Sequence, residues 1–303
     1  MTKIAILMST YNGEKYLRQQ LDSLFAQEQE GVSIWVRDDG STDSTHAILE
    51  EFSAQGKLHW YTGENIRSAK SFMALVNHVN GYDYYAFCDQ DDVWKPEKLK
   101  RAITFIAEEE KHHPNLPVFY NSDYQLVDAD MNPLPESHHK SNTTYNAAIL
   151  SSCATGCTVV FNKILRDYLV AYTPAYQAMH DSWACRVCLA VGGIVLFDEN
   201  YKSLFYRQHG ANVLGDHRSL KTRVNLIYNR IVSQECSASR QAQELLVGYA
   251  DSMSAENLEI TKMVANYKKS FFARIRLLFS RKVTTPYSQF NRGIKVAILF
   301  GYF

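Results

Sequence analysis

Three carboxylates lie within four residues at Asp89-Gln90-Asp91-Asp92, directly after the apolar and aromatic run Tyr84–Cys88. Ionised carboxylates packed this closely repel one another, so they need a nearby positive charge. A divalent cation is the natural one, because hard cations prefer oxygen ligands. The alternative is a solvated acidic turn, and the surrounding elements help to decide between the two interpretations.

The first half of the chain alternates apolar runs of strand length with helical patterns. Strands are predicted at Ile4–Met8, Ser33–Arg37, Leu58–Tyr61 and Tyr84–Cys88. Helices are predicted at Glu14–Gln27, from a cap at Thr42 or Asp43 to Ser53, at Ser68–Val79 and at Pro96–Lys111. This alternation predicts an α/β fold with a mostly parallel sheet and right-handed crossovers.

Two further polar loops, Ser9–Gly13 and Asp38–Asp43, follow the first two predicted strands. Carboxyl ends of parallel strands lie at one edge of a sheet, and open α/β sheets bind ligands there. Either loop alone is ordinary turn composition. Both loops are expected at the same edge of the sheet as Asp89–Asp92, and this placement indicates a binding site.

The second half of the chain is less regular. Strands are predicted at Val118–Asp123, Tyr124–Asp128, Thr158–Phe161, Ile194–Phe197 and Lys202–Arg207. Helices are predicted at Lys163–Ala171, at His180–Val191 and from Ser219 onward. The polar stretch 135–146 is predicted to be a loop.

Charge is distributed unevenly along the 303 residues, although the net charge is zero. Residues 261–303 contain nine Lys or Arg and no Asp or Glu, so the rest carries −9. The pattern of Lys268–Lys282 is typical of an amphipathic helix on an anionic membrane. The alternative is a helix packed on the body or on a second subunit. Nucleic acid would leave the carboxylates unexplained and is not expected.

The six cysteines do not form the pattern of a disulfide framework. Cys185 and Cys188 are spaced as zinc ligands could be, but their spacing of one helical turn favours buried free thiols on a helix. The N-terminus lacks a signal-peptide pattern, and no apolar run approaches the roughly 20 residues of a spanning helix. We therefore expect a cytoplasmic enzyme body, peripheral on the inner membrane leaflet if the basic tail binds lipid.

Five patches resemble glycosyltransferase family 2, the inverting enzymes with the GT-A fold. In chain order they are Ser9-Thr10-Tyr11-Asn12, Asp38–Asp43, Asp89–Asp92, His180-Asp181-Ser182-Trp183 and Tyr206-Arg207-Gln208-His209. They span roughly residues 3–212. The variant Asp89-Gln90-Asp91-Asp92-Val93-Trp94 is similar to the rhamnosyltransferase branch, which builds bacterial surface polysaccharide from dTDP-rhamnose.

The resemblance implies roles for individual residues. Donor contacts are expected from Thr10, Tyr11, Asn12, Asp38, Asp39, Arg67, Lys70, Asp89 and Gln90. Asp91 is expected to hold Mn²⁺ or Mg²⁺, with His209 as a second metal-binding position near the diphosphate. Asp181 matches the catalytic base. Acceptor contacts are expected from Trp94, Gly156, His180 and Trp183.

The same residues also have structural explanations. Asp181 stands where an aspartate could cap the helix. Trp94 and Trp183 could fill the core instead of stacking on a sugar. A lone histidine such as His209 is often a structural or surface residue.

The resemblance implies a GT-A domain over residues 1–215, Rossmann-like with a mostly parallel central sheet flanked by helices. Residues 1–115 would form the donor half and 116–215 the acceptor half. Residues 216–303 would form a helical, basic C-terminal extension that contacts a membrane or joins homo-oligomers. The predicted activity is transfer of a sugar, best L-rhamnose from dTDP-rhamnose, to a hydroxyl of a polyprenyl-diphosphate-linked saccharide.

Three alternatives remain at this point. The first is a transferase of the same fold that uses a UDP-hexose donor. The second is a metal-dependent phosphohydrolase, although Val93-Trp94 fits poorly where such enzymes place a small residue or Thr after the nucleophilic Asp. The third is a non-catalytic sugar- or lipid-binding scaffold, which would leave the intact acidic positions without a purpose.

Overall fold

The computed structural model describes residues 1–135, 141–209, 237–284 and 288–301. These residues form one eight-stranded sheet in the order β3-β2-β1-β4-β7-β6-β8-β5. The strands are β1 Ile4–Thr10, β2 Val32–Asp38, β3 His59–Thr62, β4 Tyr84–Cys88, β5 Val93–Trp94, β6 Val118–Val127, β7 Val160–Asn162 and β8 Ile194–Arg207. Strands β3, β2, β1 and β4 are parallel, and so are β6 and β8. Strand β7 is antiparallel to both its neighbours, and β5 is antiparallel to β8.

Helices follow the strands in the first half and dominate the C-terminal part. They are α1 Leu17–Phe25, α2 Thr45–Ala54, α3 Ser68–His78, α4 Lys98–His112, α5 Tyr145–Ala148, α6 Lys163–Ala171, α7 His180–Ala190, α8 Ala238–Tyr249, α9 Ala255–Asn266, α10 Phe271–Leu278 and α11 Ser288–Phe300. Within the described ranges, no helix combines the length and the hydrophobicity that crossing a bilayer requires.

Helices cover both faces of the sheet, which explains why residues 4–8 of β1 are all apolar. Side chains of a strand alternate between faces. Ile4, Ile6 and Met8 pack into one buried cluster with α1, α2 and α4, whereas Ala5 and Leu7 pack into the other with α3, α6 and α7. Burial on both faces is typical of parallel strands.

The strand register brings the predicted loops to one edge. Thr10 at the end of β1 pairs with Asp38 at the end of β2, and Met8 pairs with Cys88 at the end of β4. The loops that follow these strands therefore emerge side by side, as the sequence predicts.

Two predicted strands at Ile194–Phe197 and Lys202–Arg207 are one continuous strand, so that prediction is wrong. The polar residues between them resemble a turn in sequence. However, Arg101 and the Tyr120 hydroxyl hydrogen-bond the buried Asp198, which holds it in the sheet. A register shift against β6 absorbs the remaining irregularity.

The C-terminal helices share a core with the acceptor half. Tyr249, Ile260, Tyr267 and Leu277 belong to the same buried cluster as Trp183 of α7. The helix predicted from Ser219 and the proposed boundary at residue 215 lie outside the described residues. The part of the extension that is described packs against the body.

Candidate active site

Gln90 joins the acidic loop to the loop after β1. Its Oε1 atom accepts hydrogen bonds from the Thr10 hydroxyl at 2.6 Å and the Tyr11 N–H at 2.8 Å. Its Nε2 atom donates to the Tyr11 carbonyl at 3.2 Å. A Cβ on Gly13 would lie 2.6 Å from Gln90 Oε1, so only glycine allows this approach. Gln90 therefore organises the first loop.

Asn12 connects the first loop to the second. It has a left-handed backbone with φ 48°, a conformation that asparagine tolerates. Its N–H donates to the Ser41 hydroxyl at 2.8 Å, and its Oδ1 accepts from the Thr42 N–H at 2.9 Å. Tyr11 beside it is 47% exposed, whereas Thr10 is buried. Of the first loop, Tyr11 and Asn12 remain accessible to a ligand.

Asp38 is fully buried, so its predicted contact with a base or ribose does not fit its position. It accepts hydrogen bonds from the N–H groups of Gly40 and Ser41, and His46 Nε2 lies 2.7 Å away. Burial would raise the pKa of Asp38, but hydrogen bonds from Ser41 and His46 lower it overall. Asp38 holds the loop after β2 in shape instead.

Asp39 is also turned inward, with 2% of the residue exposed. Its carboxylate pairs with the Arg37 guanidinium and accepts hydrogen bonds from the N–H groups of Ile66 and Arg67. The structure therefore shows Asp39 engaged by protein partners, and its direct donor contact stays a prediction. The pair positions the segment before α3, and the exposed cations Arg67 and Lys70 lie at the start of this helix.

Asp91 and His209 meet at the mouth of the acidic loop. His209 Nε2 lies 2.7 Å from Asp91 Oδ2, and the side chains are 16% and 18% exposed. The Tyr16 ring lies 5.0 Å from the imidazole, centroid to centroid. A carboxylate oxygen and an imidazole nitrogen that converge at the surface suit a divalent cation such as Mn²⁺. The structure thus brings the predicted metal pair together.

Asp92 points away from this mouth into the protein. It is fully buried and accepts a hydrogen bond from the Arg207 N–H at 3.2 Å. Burial, followed by the charges of Asp91 and Asp89, raises the pKa of Asp92 far above its usual range. Asp92, Asp89 and Cys157 have ligand atoms within 4.8 Å of one another.

Lys98 supplies the positive charge that this buried cluster needs. Its Nζ donates to the Cys157 carbonyl and lies 3.3 Å from the centroid of the Trp94 ring. Burial lowers the pKa of Lys98 to about 8. We therefore assign no metal to this inner cluster. Sequence reasoning missed Lys98, although it shares a stripe of α4 with the buried Ala102 and Ile106.

Asp181 is the second residue of α7 and is 7% exposed. The helix cap is Met179 and makes no side-chain cap bond, so the alternative that Asp181 caps the helix is wrong. Burial raises the pKa of Asp181 to about 6, against the opposing effects of the Ser182 N–H and the Arg186 charge. A carboxylate with this pKa is matched to general-base work near neutral pH.

Asp89 links the two halves of the site electrostatically. Burial, then the charges of Asp91 and Asp181, raises the pKa of Asp89 to about 7. The two carboxylates Asp89 and Asp181 therefore lie near enough to interact. One comes from the end of β4 and the other from the start of α7.

Three residues predicted to contact the acceptor have buried side chains. Trp94 and Trp183 are 2% and 0% exposed, so neither ring offers a face to a sugar. His180 stacks on Phe72 at 3.8 Å between centroids, and burial lowers its pKa to about 3. Gly156 allows close packing against His180, because a Cβ at this position would lie 2.9 Å from His180 Nε2.

The sequence of this chain matches a known family and individual proteins. Residues 5–169 match the family described as Glycosyl transferase family 2. The chain is 29% identical over 250 residues to dTDP-rhamnosyl transferase RfbG of Shigella flexneri, covering 75% of this chain and 81% of that protein.

Two solved structures resemble the fold. S. aureus TarS 1-349 in complex with UDP-GlcNAc has a TM-score of 0.57 at 17% identity, covering 99% of this chain and 90% of that one. Mannosyltransferase PcManGT from Pyrobaculum calidifontis, in complex with GDP-Man and Mn²⁺, has a TM-score of 0.52 at 14% identity, covering 99% and 86%. These likenesses concern the fold alone, and they confirm the predicted GT-A architecture with C-terminal helices.

Proposed function

The chain belongs to glycosyl transferase family 2, and from this membership we propose an inverting, metal-dependent transfer of L-rhamnose from dTDP-rhamnose. The acceptor we propose is a hydroxyl of a polyprenyl-diphosphate-linked saccharide. One observation carries this proposal. Asp89 interacts electrostatically both with Asp91, which pairs with His209, and with the buried base candidate Asp181.

Rhamnose is the proposed sugar because the RfbG relative, whose match covers 81% of its length, is named a dTDP-rhamnosyl transferase. The two structural neighbours hold UDP-GlcNAc and GDP-Man, so the fold accepts several nucleotides. A UDP-hexose is the alternative donor to dTDP-rhamnose. The phosphohydrolase alternative has no support beyond its shared strand-end carboxylates.

The donor would bind across the loops after β1 and β4. Tyr11 and Asn12 are the accessible groups of the first loop, and Gln90 fixes the backbone of Tyr11. Asp89 would accept a hydrogen bond from the ribose. Arg67 and Lys70 are exposed at the start of α3, where their charges would attract the diphosphate.

Asp91 and His209 would hold the cation, which neutralises the negative charge of the departing diphosphate. Asp181 would accept the proton of the acceptor hydroxyl as the oxygen attacks the anomeric carbon opposite the leaving group. Attack from that side inverts the anomeric centre. Positioned base catalysis of this kind contributes roughly 10²- to 10⁴-fold.

Donor choice is tested by incubating the protein with Mn²⁺ and one of dTDP-rhamnose, UDP-glucose, UDP-GlcNAc or GDP-mannose. We expect fastest consumption of dTDP-rhamnose, with dTDP as the nucleotide product and no inorganic phosphate. Asp181→Asn is the control for catalysis by this site. If only a UDP-hexose is consumed, the proposed donor is wrong. If inorganic phosphate is released, the transferase assignment is wrong.

A further inference from the structure

The short helix α10 leaves three aromatic rings in solvent. Phe271, Phe272 and Phe279 are 70%, 83% and 73% exposed. Phe272 and Phe279 are two helical turns apart and lie on one face. On the opposite side, Leu277 is 2% exposed and belongs to the main core. The helix is therefore anchored by one face while the other presents phenylalanines, which soluble surfaces rarely group together.

Helix α11 extends this surface. Val296, Leu299 and Phe300 follow the spacing of one helical face and are 55%, 50% and 66% exposed. Arg274 of α10 donates to the Leu299 carbonyl at 3.1 Å, which ties the two helices together. We call the six exposed apolar residues the tail surface: Phe271, Phe272, Phe279, Val296, Leu299 and Phe300.

The charges around the tail surface are predominantly positive. Residues 261–303 contain no Asp or Glu, and the exposed cations among them are Lys262, Lys268, Lys269, Arg276, Arg281, Lys282 and Lys295. Glu259 contacts both Arg276 and Lys282, but one carboxylate offsets only one of these charges. Aromatic rings beside several cations match a bilayer with anionic headgroups.

The tail surface is connected to the proposed base through packed side chains. Tyr249 at the end of α8 lies 6.1 Å, ring to ring, from Trp183, two residues after Asp181. Arg186 of α7 donates to Gln241 of α8. The Tyr145 and Thr261 hydroxyls hydrogen-bond at 2.5 Å. Docking of the tail surface on a partner would therefore hold the acceptor half in a fixed orientation.

We propose that the tail surface docks on an anionic lipid bilayer, with its phenylalanines at the boundary between headgroups and acyl chains. This inference concerns a surface away from the donor loops and stands apart from the proposed donor and metal. It also explains how an enzyme body without a described spanning helix would reach a lipid-linked acceptor.

Vesicle flotation tests the proposal with the full chain and phosphatidylglycerol-containing or pure phosphatidylcholine vesicles. We expect binding to the anionic vesicles and at least tenfold weaker binding to the neutral ones. Phe271→Ser with Phe272→Ser, and separately Lys268→Gln with Lys269→Gln, should each reduce binding at least tenfold. Matched controls are Val247→Ser, 75% exposed on α8, and Lys111→Gln on α4, which should bind as wild type.

Thermal unfolding of each variant confirms that it folds, and donor hydrolysis without vesicles should be unchanged. Equal flotation of the Phe variant and the Val247 control would overturn the proposal. So would the absence of vesicle binding by wild type. Light scattering after size exclusion tests whether a second copy of the chain covers this surface. If wild type is a dimer that does not bind vesicles and the Phe variant is a monomer, the surface is a subunit interface.

Discussion

His209 Nε2 lies 2.7 Å from Asp91 Oδ2, although the two residues are 118 positions apart. One follows β8 and the other follows β4, so the contact joins the two parallel parts of the sheet. The groups that would bind a cation thus already converge before one arrives. Pre-placed ligands lose little conformational entropy on binding.

We predict that His209→Ala weakens Mn²⁺-dependent nucleotide binding, because the cation loses one of its two protein ligands. The expected loss is at least about tenfold in apparent Mn²⁺ affinity. Calorimetric titration with dTDP and Mn²⁺ measures it, and a chelator should remove the metal-dependent component in wild type. His112→Ala, an exposed histidine on α4, is the control. An unchanged Mn²⁺ affinity for His209→Ala would remove it from the metal site.

Asp181→Asn should abolish sugar transfer without weakening the fold. Asparagine cannot accept the acceptor proton, but it keeps the shape of the side chain. Since burial raises the pKa of Asp181 to about 6, the ionised form is disfavoured in the folded state. The variant should therefore be as stable as wild type or more so above pH 6, by up to about 3 kcal/mol.

The size of this stability difference depends on pH. The folded protein binds the proton of Asp181 more tightly than the unfolded chain, so wild-type stability falls as pH rises from about 4 to 6. The advantage of Asp181→Asn should shrink below this window. Urea unfolding at pH 4.5 and 7.5 measures both values. A variant that unfolds more readily at pH 7.5 would contradict the assigned burial cost.

The rate of transfer should depend on pH through the same carboxylate. A base works only when ionised, so kcat/KM should fall about tenfold per pH unit below pH 6 and level off above it. Initial rates between pH 5 and 8.5 at saturating Mn²⁺ test this. A rate that stays constant down to pH 5 would exclude Asp181 as the base.

The parallel edge of the sheet could be predicted because local patterns determine it. Tyr84–Cys88 is apolar throughout and ends in carboxylates, and the observed strand has the same bounds. The contact of Asp91 with His209 could not come from periodicity, since it depends on how β8 is placed beside β6. The family resemblance, and not the pattern of residues, indicated that pair.

Burial by distant elements could not be predicted from the local sequence. Every residue of α7 is buried, because helices more than fifty positions later cover its outer face. Nothing near Trp183 in sequence indicates this covering. The hydrogen-bond partners of Asp39 could not be predicted for a similar reason, since Ile66 and Arg67 lie 27 and 28 positions away. Sequence indicates that a carboxylate is present at the site but not which donors surround it.

Gln90→Met should weaken donor binding because the loop after β1 loses its three hydrogen bonds. The Tyr11 N–H and carbonyl would no longer be fixed, so we expect a donor KM at least about fivefold higher with a smaller change in kcat. Gln55→Met, an exposed glutamine after α2, is the control. If the donor KM is unchanged, Gln90 does not organise this loop for binding.

The last prediction concerns the buried ion pair Arg37–Asp39, whose side chains are 6% and 3% exposed. Arg37→Met should lower the free energy of unfolding by about 3–5 kcal/mol, because it leaves the Asp39 charge buried without its partner. The loop before α3 would also lose the hydrogen bond from Arg37 to the Glu64 carbonyl. The donor KM should therefore rise together with the loss of stability.

Arg18→Met is the control, because Arg18 also pairs with a carboxylate, Glu51, but at side-chain exposures of 50% and 48%. Solvent screens that pair, so its removal should change the urea midpoint far less. Adding Asp39→Asn to Arg37→Met should recover part of the stability, since the uncompensated charge is removed. If the two arginine variants lose equal stability, or if the double variant is no better than Arg37→Met, the buried charge of Asp39 is not what Arg37 compensates.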